Sequence, residues 1–238
     1  MKASCFRNLR QWDFYNIYLI FRNYITTATI HFVALFCCTE YNSQKYLSIH
    51  ISMIKSIGVF CGAKNGTQNF TNLAIQVAKH LCELDITIIY GGGNKGLMGI
   101  LADTALSLGG RVIGIFPEIS LIESERHTGV SESILTPCLF SRKHLMIEKS
   151  DAFLTLPGGY GTLDEFFEIV VAKKLGLHSK PLFLLNYENF WKGIVMQGES
   201  IGLCELDDSG LSSRHYTIIN DADEMRESIA EINGKKIK

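Results

Sequence analysis

The sequence predicts a doubly wound α/β domain, a single parallel sheet of Rossmann type with helices on both faces. Three observations lead there. From Ser56 onward, short β-branched runs alternate with amphipathic segments. The runs are apolar at nearly every position, as strands covered on both faces must be. Three of them end in glycine, at Gly62, at Gly91–Gly93 and at Gly158–Gly161. Sheets of this kind take ligands outside the carboxyl ends of their strands, so the three turns should open onto one edge.

The elements follow in order. "SIGVF" (Ser56–Phe60) is the first strand. Asn69–Leu84 carries Leu73, Val77, Leu81 and Leu84 at helical spacing. "ITIIY" (Ile86–Tyr90) is a second buried strand, and Leu97–Leu108 is a helix stopped by Gly109 and Gly110. "RVIGIF" (Arg111–Phe116) is a third strand, ended by Pro117. Residues 118–133 are polar and irregular and read as an active-site loop. Ser141–Ser150 reads as a helix with Ser141 as its N-cap. "AFLTL" (Ala152–Leu156) is a strand, and Thr162–Leu175 is the helix after it. "PLFLLN" (Pro181–Asn186), a helix over Tyr187–Ile201, a short strand at Tyr216–Ile219 and a helix at Asp223–Ile232 complete the pattern.

Residues 53–238 are enough for one domain with a large core, and not for two. The net charge of -1 removes any global electrostatic case for nucleic acid or an anionic membrane. The seven cysteines (Cys5, Cys37, Cys38, Cys61, Cys82, Cys138 and Cys204) are odd in number and scattered, with no CxxC pair. They read as reduced thiols of a cytoplasmic protein, with no metal site.

Residues 1–52 differ from the rest. They lack Gly and Pro, and Ile17–Cys38 is mostly apolar. That run has the length of a membrane span, but Arg22, Asn23 and His31 interrupt it. It also lacks the small-residue cleavage pattern of a signal peptide. The reading adopted is an upstream extension outside the fold, with Met53 as the natural start and no membrane association. A membrane-associated segment and a genuine extra element are the alternatives.

Three motifs carry chemistry. In "YGGGNKGLMG" (Tyr90–Gly99) a glycine turn precedes a helix, whose N–H groups and dipole suit an anion. It is neither a Walker motif nor the dinucleotide GxGxxG, and no acidic residue ends the next strand to hold a ribose hydroxyl. "PGGYGTLDE" (Pro157–Glu165) repeats the arrangement with three glycines and Thr162. Glu165 lies one helical turn after Thr162, where a carboxylate would act on a part of the substrate next to a bound phosphate. The same spacing matches a helix-capping box, which on spacing alone is the stronger reading. In "SRKHLM" (Ser141–Met146) Arg142 and Lys143 stand in the first turn of a helix, where cations oppose the dipole. Anionic partners would account for them, and so would a solvated basic face. His127, His144, Phe190 and Trp191 read as loop, surface or packing residues. Cys61 sits beside the site without a base to activate it.

Together, "SRKHLM", "DAFLTLPGGYGTLDE" and the upstream "YGGGNKGLMG" resemble the LONELY GUY (LOG) family. Its members are cytokinin riboside 5'-monophosphate phosphoribohydrolases, often labelled lysine decarboxylases. The resemblance covers residues 56–202 and rests on an Arg-Lys pair followed by PGGxGTxxE. It implies hydrolysis of the N-glycosidic bond of a purine nucleoside 5'-monophosphate, cytokinin-type or adenosine, to free base and ribose 5-phosphate. Arg142 and Glu165 are then the catalytic pair. Gly91, Gly92, Gly93, Gly158, Gly159, Tyr160, Gly161 and Thr162 cradle the phosphate, with Lys143 and Asp164 also binding substrate. No metal or organic cofactor is required, and a homodimer is implied. No lysine context argues for pyridoxal phosphate.

The chain departs from the family at Leu139-Phe140-Ser141, where Met-His usually stand two and three places before the Arg. It departs again at Ser124, which replaces a nucleotide-binding glutamate between Glu123 and Glu125, and in the turn "VFCGAKNG". These changes bear on base specificity. The competing reading is a non-catalytic nucleotide- or molybdenum-cofactor-binding protein of the same fold. The intact mass of the protein from its native source is expected to correspond to a start at Met53; a mass that includes residue 1 rules out that start.

Overall fold

The structure, a computed structural model, describes residues 53–203 and 215–234. The expectation for residues 1–52 lies outside them. Seven parallel strands form one sheet in the order β4-β3-β2-β1-β5-β6-β7. The strands are β1 (Ser56–Phe60), β2 (Thr87–Tyr90), β3 (Val112–Pro117), β4 (Glu132–Thr136), β5 (Ala152–Thr155), β6 (Leu182–Leu185) and β7 (Thr217–Ile219). Among the described residues five helices lie between strands, α1 (Gln68–Glu83), α2 (Gly96–Ser107), α3 (Leu139–Lys149), α4 (Tyr160–Lys174) and α5 (Lys192–Leu203), and a sixth, α6 (Ala222–Ile232), follows β7.

Strand side chains alternate between faces, and the core divides accordingly. Ile57, Val59, Ile88, Tyr90, Val112 and Leu154 pack with α1, α2 and α6 on one face. Phe60, Ile89, Ile113, Ile115 and Phe153 pack with α3, α4 and α5 on the other. Leu73, Val77 and Leu81 of α1 are buried, as their spacing predicts.

The order of the strands decides where a ligand can bind. The chain runs outward from β1 to β4, then returns to lay β5 against β1 on its other side. The crevice of a doubly wound sheet opens at this reversal, between the carboxyl ends of β1 and β5. The turns that follow those strands contain Gly62 and Gly158, and the Gly62 N–H donates to the Pro157 carbonyl at 3.1 Å.

Three local expectations are corrected. The segment read as an irregular loop contains a 3-10 turn (Ser120–Glu125) and, at its end, the edge strand β4. β4 pairs on one side only and alternates in burial, so it has no apolar run to reveal it. Helix α3 begins two residues earlier than expected, with Cys138 as its N-cap. Ser141 is instead the third helical residue, and its Oγ accepts from the Cys138 N–H at 3.2 Å. Helix α4 has Gly159 as its N-cap, so Glu165 lies too far inside the helix to form a capping box.

One glycine locks the binding edge. Gly96, the first residue of α2, has φ +60, and a Cβ there would overlap the Ala63–Lys64 peptide after β1. By contrast, a Cβ on Gly161 would meet nothing within 4 Å. Gly96→Ala is therefore expected to cost at least about 1–3 kcal/mol in urea unfolding, from the positive φ alone. Gly161→Ala, inside a helix, is expected to leave stability unchanged or raise it by up to about 1 kcal/mol.

Candidate active site

A cleft of about 620 Å³ occupies the crevice between β1 and β5. The turn after β1 supplies Cys61, Gly62, Ala63 and Lys64, and the turn after β5 supplies Pro157, Gly158 and Gly159. Tyr160, Gly161, Thr162 and Glu165 come from the start of α4, Met98 from α2 and Arg142 from α3. Helix α4 thus points its N-terminus, with unsatisfied N–H groups and a favourable dipole, at the cleft. The glycines there have different causes. A Cβ on Gly158 would collide with Thr162, so packing demands that glycine. At Gly159 and Gly161 a Cβ would meet no protein atom within 4 Å. The fold has no need of glycine at those two positions, whereas a ligand seated close to the backbone would.

Arg142 and Glu165 meet between α3 and α4. The Arg142 Nη2 donates to Glu165 Oε1. Both side chains are largely buried, at 16% and 11% exposure. Burial pushes the Glu165 carboxyl up to about 7, against the pull of Arg142 and Lys143 and helped by the nearby Asp164 and Glu168. Its proton is therefore held loosely near neutrality, where a general acid or base is most useful. Arg142 Nε is buried without a partner. Beside it lies Gly91, where a Cβ would come within 3.0 Å of Arg142 Nη1. Glycine at 91 thus makes room for the guanidinium.

Gly91, Gly92 and Gly93 do not line the cleft. They are sewn to the loop after β3 through the His127 N–H to the Gly92 carbonyl at 2.8 Å and the Gly93–Arg126 bridge. Glu123 pairs with Arg126 at 3.2 Å, and Glu125 pairs with Lys95 at 3.0 Å. His127 contacts Asp103 at 2.9 Å, and His144 is exposed. Lys143 and Asp164 pair with each other at 2.9 Å, and Lys143 lies outside the cleft lining. Cys61 lines the cleft, but burial and the Glu165 charge push its thiol up, so it is no thiolate nucleophile. Among the described residues no group of three or more His, Cys, Asp or Glu could hold a metal ion.

Sequence reasoning missed several cleft residues. Phe190 lines the cleft beside Phe70, their rings 5.3 Å apart and edge to face. Trp191, next in sequence, is buried, as expected of a packing residue. Lys64 supplies a further cation to the cleft. The signal available was position, because Lys64 follows the first strand at the edge where the glycine turns gather.

A family model described as possible lysine decarboxylase matches residues 98–231, more than half of the chain. The chain is 39% identical over 146 residues to a probable cytokinin riboside 5'-monophosphate phosphoribohydrolase of Arabidopsis thaliana, covering 61% of this chain and 73% of that protein. It is 41% identical over 143 residues to a cytokinin riboside 5'-monophosphate phosphoribohydrolase of Rhodococcoides fascians, covering 59% and 72%. Among solved structures, the molybdenum cofactor binding protein from Rippkaea orientalis superposes with a TM-score of 0.59. It is 22% identical and covers 76% of this chain and 99% of that one, a likeness that shows the fold alone. With the Arg142–Glu165 pair and the glycine cleft in view, the family match and these relatives establish that the chain belongs to the LONELY GUY (LOG)-type, possible lysine decarboxylase family.

Proposed function

We propose that the protein hydrolyses the N-glycosidic bond of a purine nucleoside 5'-monophosphate, releasing the free base and ribose 5-phosphate. One observation carries this reading: a buried glutamate, paired with an arginine, stands beside an anion-binding helix terminus in a single cleft. The names of the relatives, cytokinin riboside 5'-monophosphate phosphoribohydrolases, supply the substrate class.

The N–H groups at the start of α4 and the Thr162 hydroxyl receive the 5'-phosphate, with the helix dipole favouring its charge. This seats the ribose one helical turn along, beside Glu165. The glycosidic bond breaks with positive charge developing on the sugar, and a carboxylate at that point stabilises the cation. The bonding pair leaves with the purine nitrogen, which takes up a proton from solvent, while the same carboxylate removes a proton from the attacking water, whose oxygen forms the new bond to the sugar. Arg142 holds Glu165 as an anion and has unused donors for the substrate. No metal or organic cofactor enters this scheme.

The proposal extends to a homodimer in the cytoplasm. Phe167 and Val171 of α4 and Leu175 at its C-cap are exposed at helical spacing, an apolar stripe that a second copy would cover. No helix among the described residues is long and apolar enough to cross a membrane. A non-catalytic nucleotide binder would need the cradle but has no use for a buried Glu165 paired with Arg142.

Glu165→Gln is expected to lower release of adenine and ribose 5-phosphate from AMP by about 10²–10⁴-fold while nucleotide binding is retained. Running N6-isopentenyl-AMP beside AMP gives the base preference. Tight binding with no release from either nucleotide by the unaltered protein would favour the binding-module reading. The pH profile provides a separate check. Glu165 is raised to about 7, so it is protonated below that pH and anionic above it. The kcat/KM for AMP is therefore expected to fall on the acid side of a midpoint near about 7. Arg142 lowers the carboxyl, so Arg142→Met should move that midpoint upward as well as slowing the reaction.

A further inference from the structure

Lys143 is buried, with only 9% of its side chain exposed, yet it does not face the cleft. Its ammonium donates to Asp164 at 2.9 Å and is also paired with Glu168. Both carboxylates belong to α4 and flank Glu165, Glu168 by one helical turn on the same side. Lys143, Glu165 and Glu168 line one shallow crevice between α3 and α4, together with Phe60, Ile147 and Ile169. The groups facing Glu165 are thus Arg142 and Lys143 from α3, Asp164 and Glu168 from its own helix, and the Cys61 thiol after β1. Three carboxylates face two cations, so the cluster carries an excess negative charge.

We infer that Lys143 and Glu168 are positioning residues that set the protonation of Glu165 from behind the site, with Lys143 holding it toward the anion and Glu168 toward the acid. This assignment replaces a substrate-binding role for Lys143, which lies outside the cleft lining and pairs with the two carboxylates. The physical reason is the surplus charge. With Lys143 in place, Asp164 and Glu168 are partly neutralised, and Glu165 ionises mainly against the cost of its burial. Without Lys143, both would repel the Glu165 anion, which burial already leaves poorly solvated. Arg142 then acts on the cleft side of Glu165 and Lys143 from the crevice between α3 and α4.

The catalytic meaning of this device rests on the reading of Glu165 proposed above, but its test does not. In the full-length chain labelled with 13C-glutamate, the Glu165 carboxyl resonance is assigned by its loss in Glu165→Gln and followed against pH. Lys143→Met is expected to raise its midpoint by about one unit, at the low end of what a neighbouring charge supplies. Glu168→Gln is expected to lower it, and the double variant to return it toward that of the unaltered protein. Single variants that leave the midpoint unmoved, or move it in the same direction, overturn the inference. Should Lys143→Met fail to fold, Glu168→Gln and the double variant still decide. The acid limb of kcat/KM for AMP is expected to move with the resonance while KM at high pH stays constant. A tenfold rise in KM for Lys143→Met with an unmoved resonance would make Lys143 a substrate contact and overturn the inference. If the unaltered protein releases no base, the hydrolase reading falls and the titration still tests the charge cluster.

Discussion

The contact between Arg142 and Glu165 ties the site to the fold. It joins α3 to α4 on one face of the sheet and brings together residues 23 apart in sequence. Each group is costly to bury alone, and together they offset part of that cost. The remainder appears at Glu165, where burial outweighs the attraction of the guanidinium and leaves the carboxyl close to neutrality. A fully solvated glutamate would be ionised at that pH, and one buried without an arginine would stay protonated. The cleft thus holds a carboxyl whose charge is easily changed, next to the helix terminus best suited to a phosphate.

The glycines around this pair answer to different constraints. Gly96 keeps the turn after β1 pressed against α2, so Lys64 and Gly62 are presented from a rigid base. Gly91 leaves space for the guanidinium, and Gly158 leaves space for Thr162. Gly159 and Gly161 satisfy no packing demand in the protein, and their small size is available to whatever occupies the cleft. A glycine-rich motif read from sequence merges these roles. Only the neighbours of each missing Cβ separate them.

Much of the architecture was legible because buried parallel strands have little freedom in composition. "SIGVF", "ITIIY" and "PLFLLN" are apolar at nearly every position, and their observed limits differ from the expected ones by a residue or less. β4 escaped notice because an edge strand is buried on one side and carries only an alternating pattern. The caps of α3 and α4 were misplaced because Ser141 and Thr162 look like N-caps by residue type. The backbone turned helical earlier, at Leu139 and Tyr160, with Cys138 and Gly159 as the caps.

By itself, the sequence determined the parallel sheet and the glycine turns at the carboxyl ends of its strands, and its resemblance to a family pointed to Arg142 and Glu165. The sheet and its turns follow from short-range patterns of side-chain size, polarity and spacing. Tertiary structure decided what each residue does there. It withdrew Lys143 from the cleft into a pair with Asp164 and Glu168, engaged Gly91–Gly93 with the loop after β3, and brought Phe190 and Lys64 to the cleft wall. Roles of this kind depend on which groups share a desolvated space after the chain reverses between β4 and β5. Proximity across that reversal sets the electrostatics of Glu165, and local spacing carries no record of it.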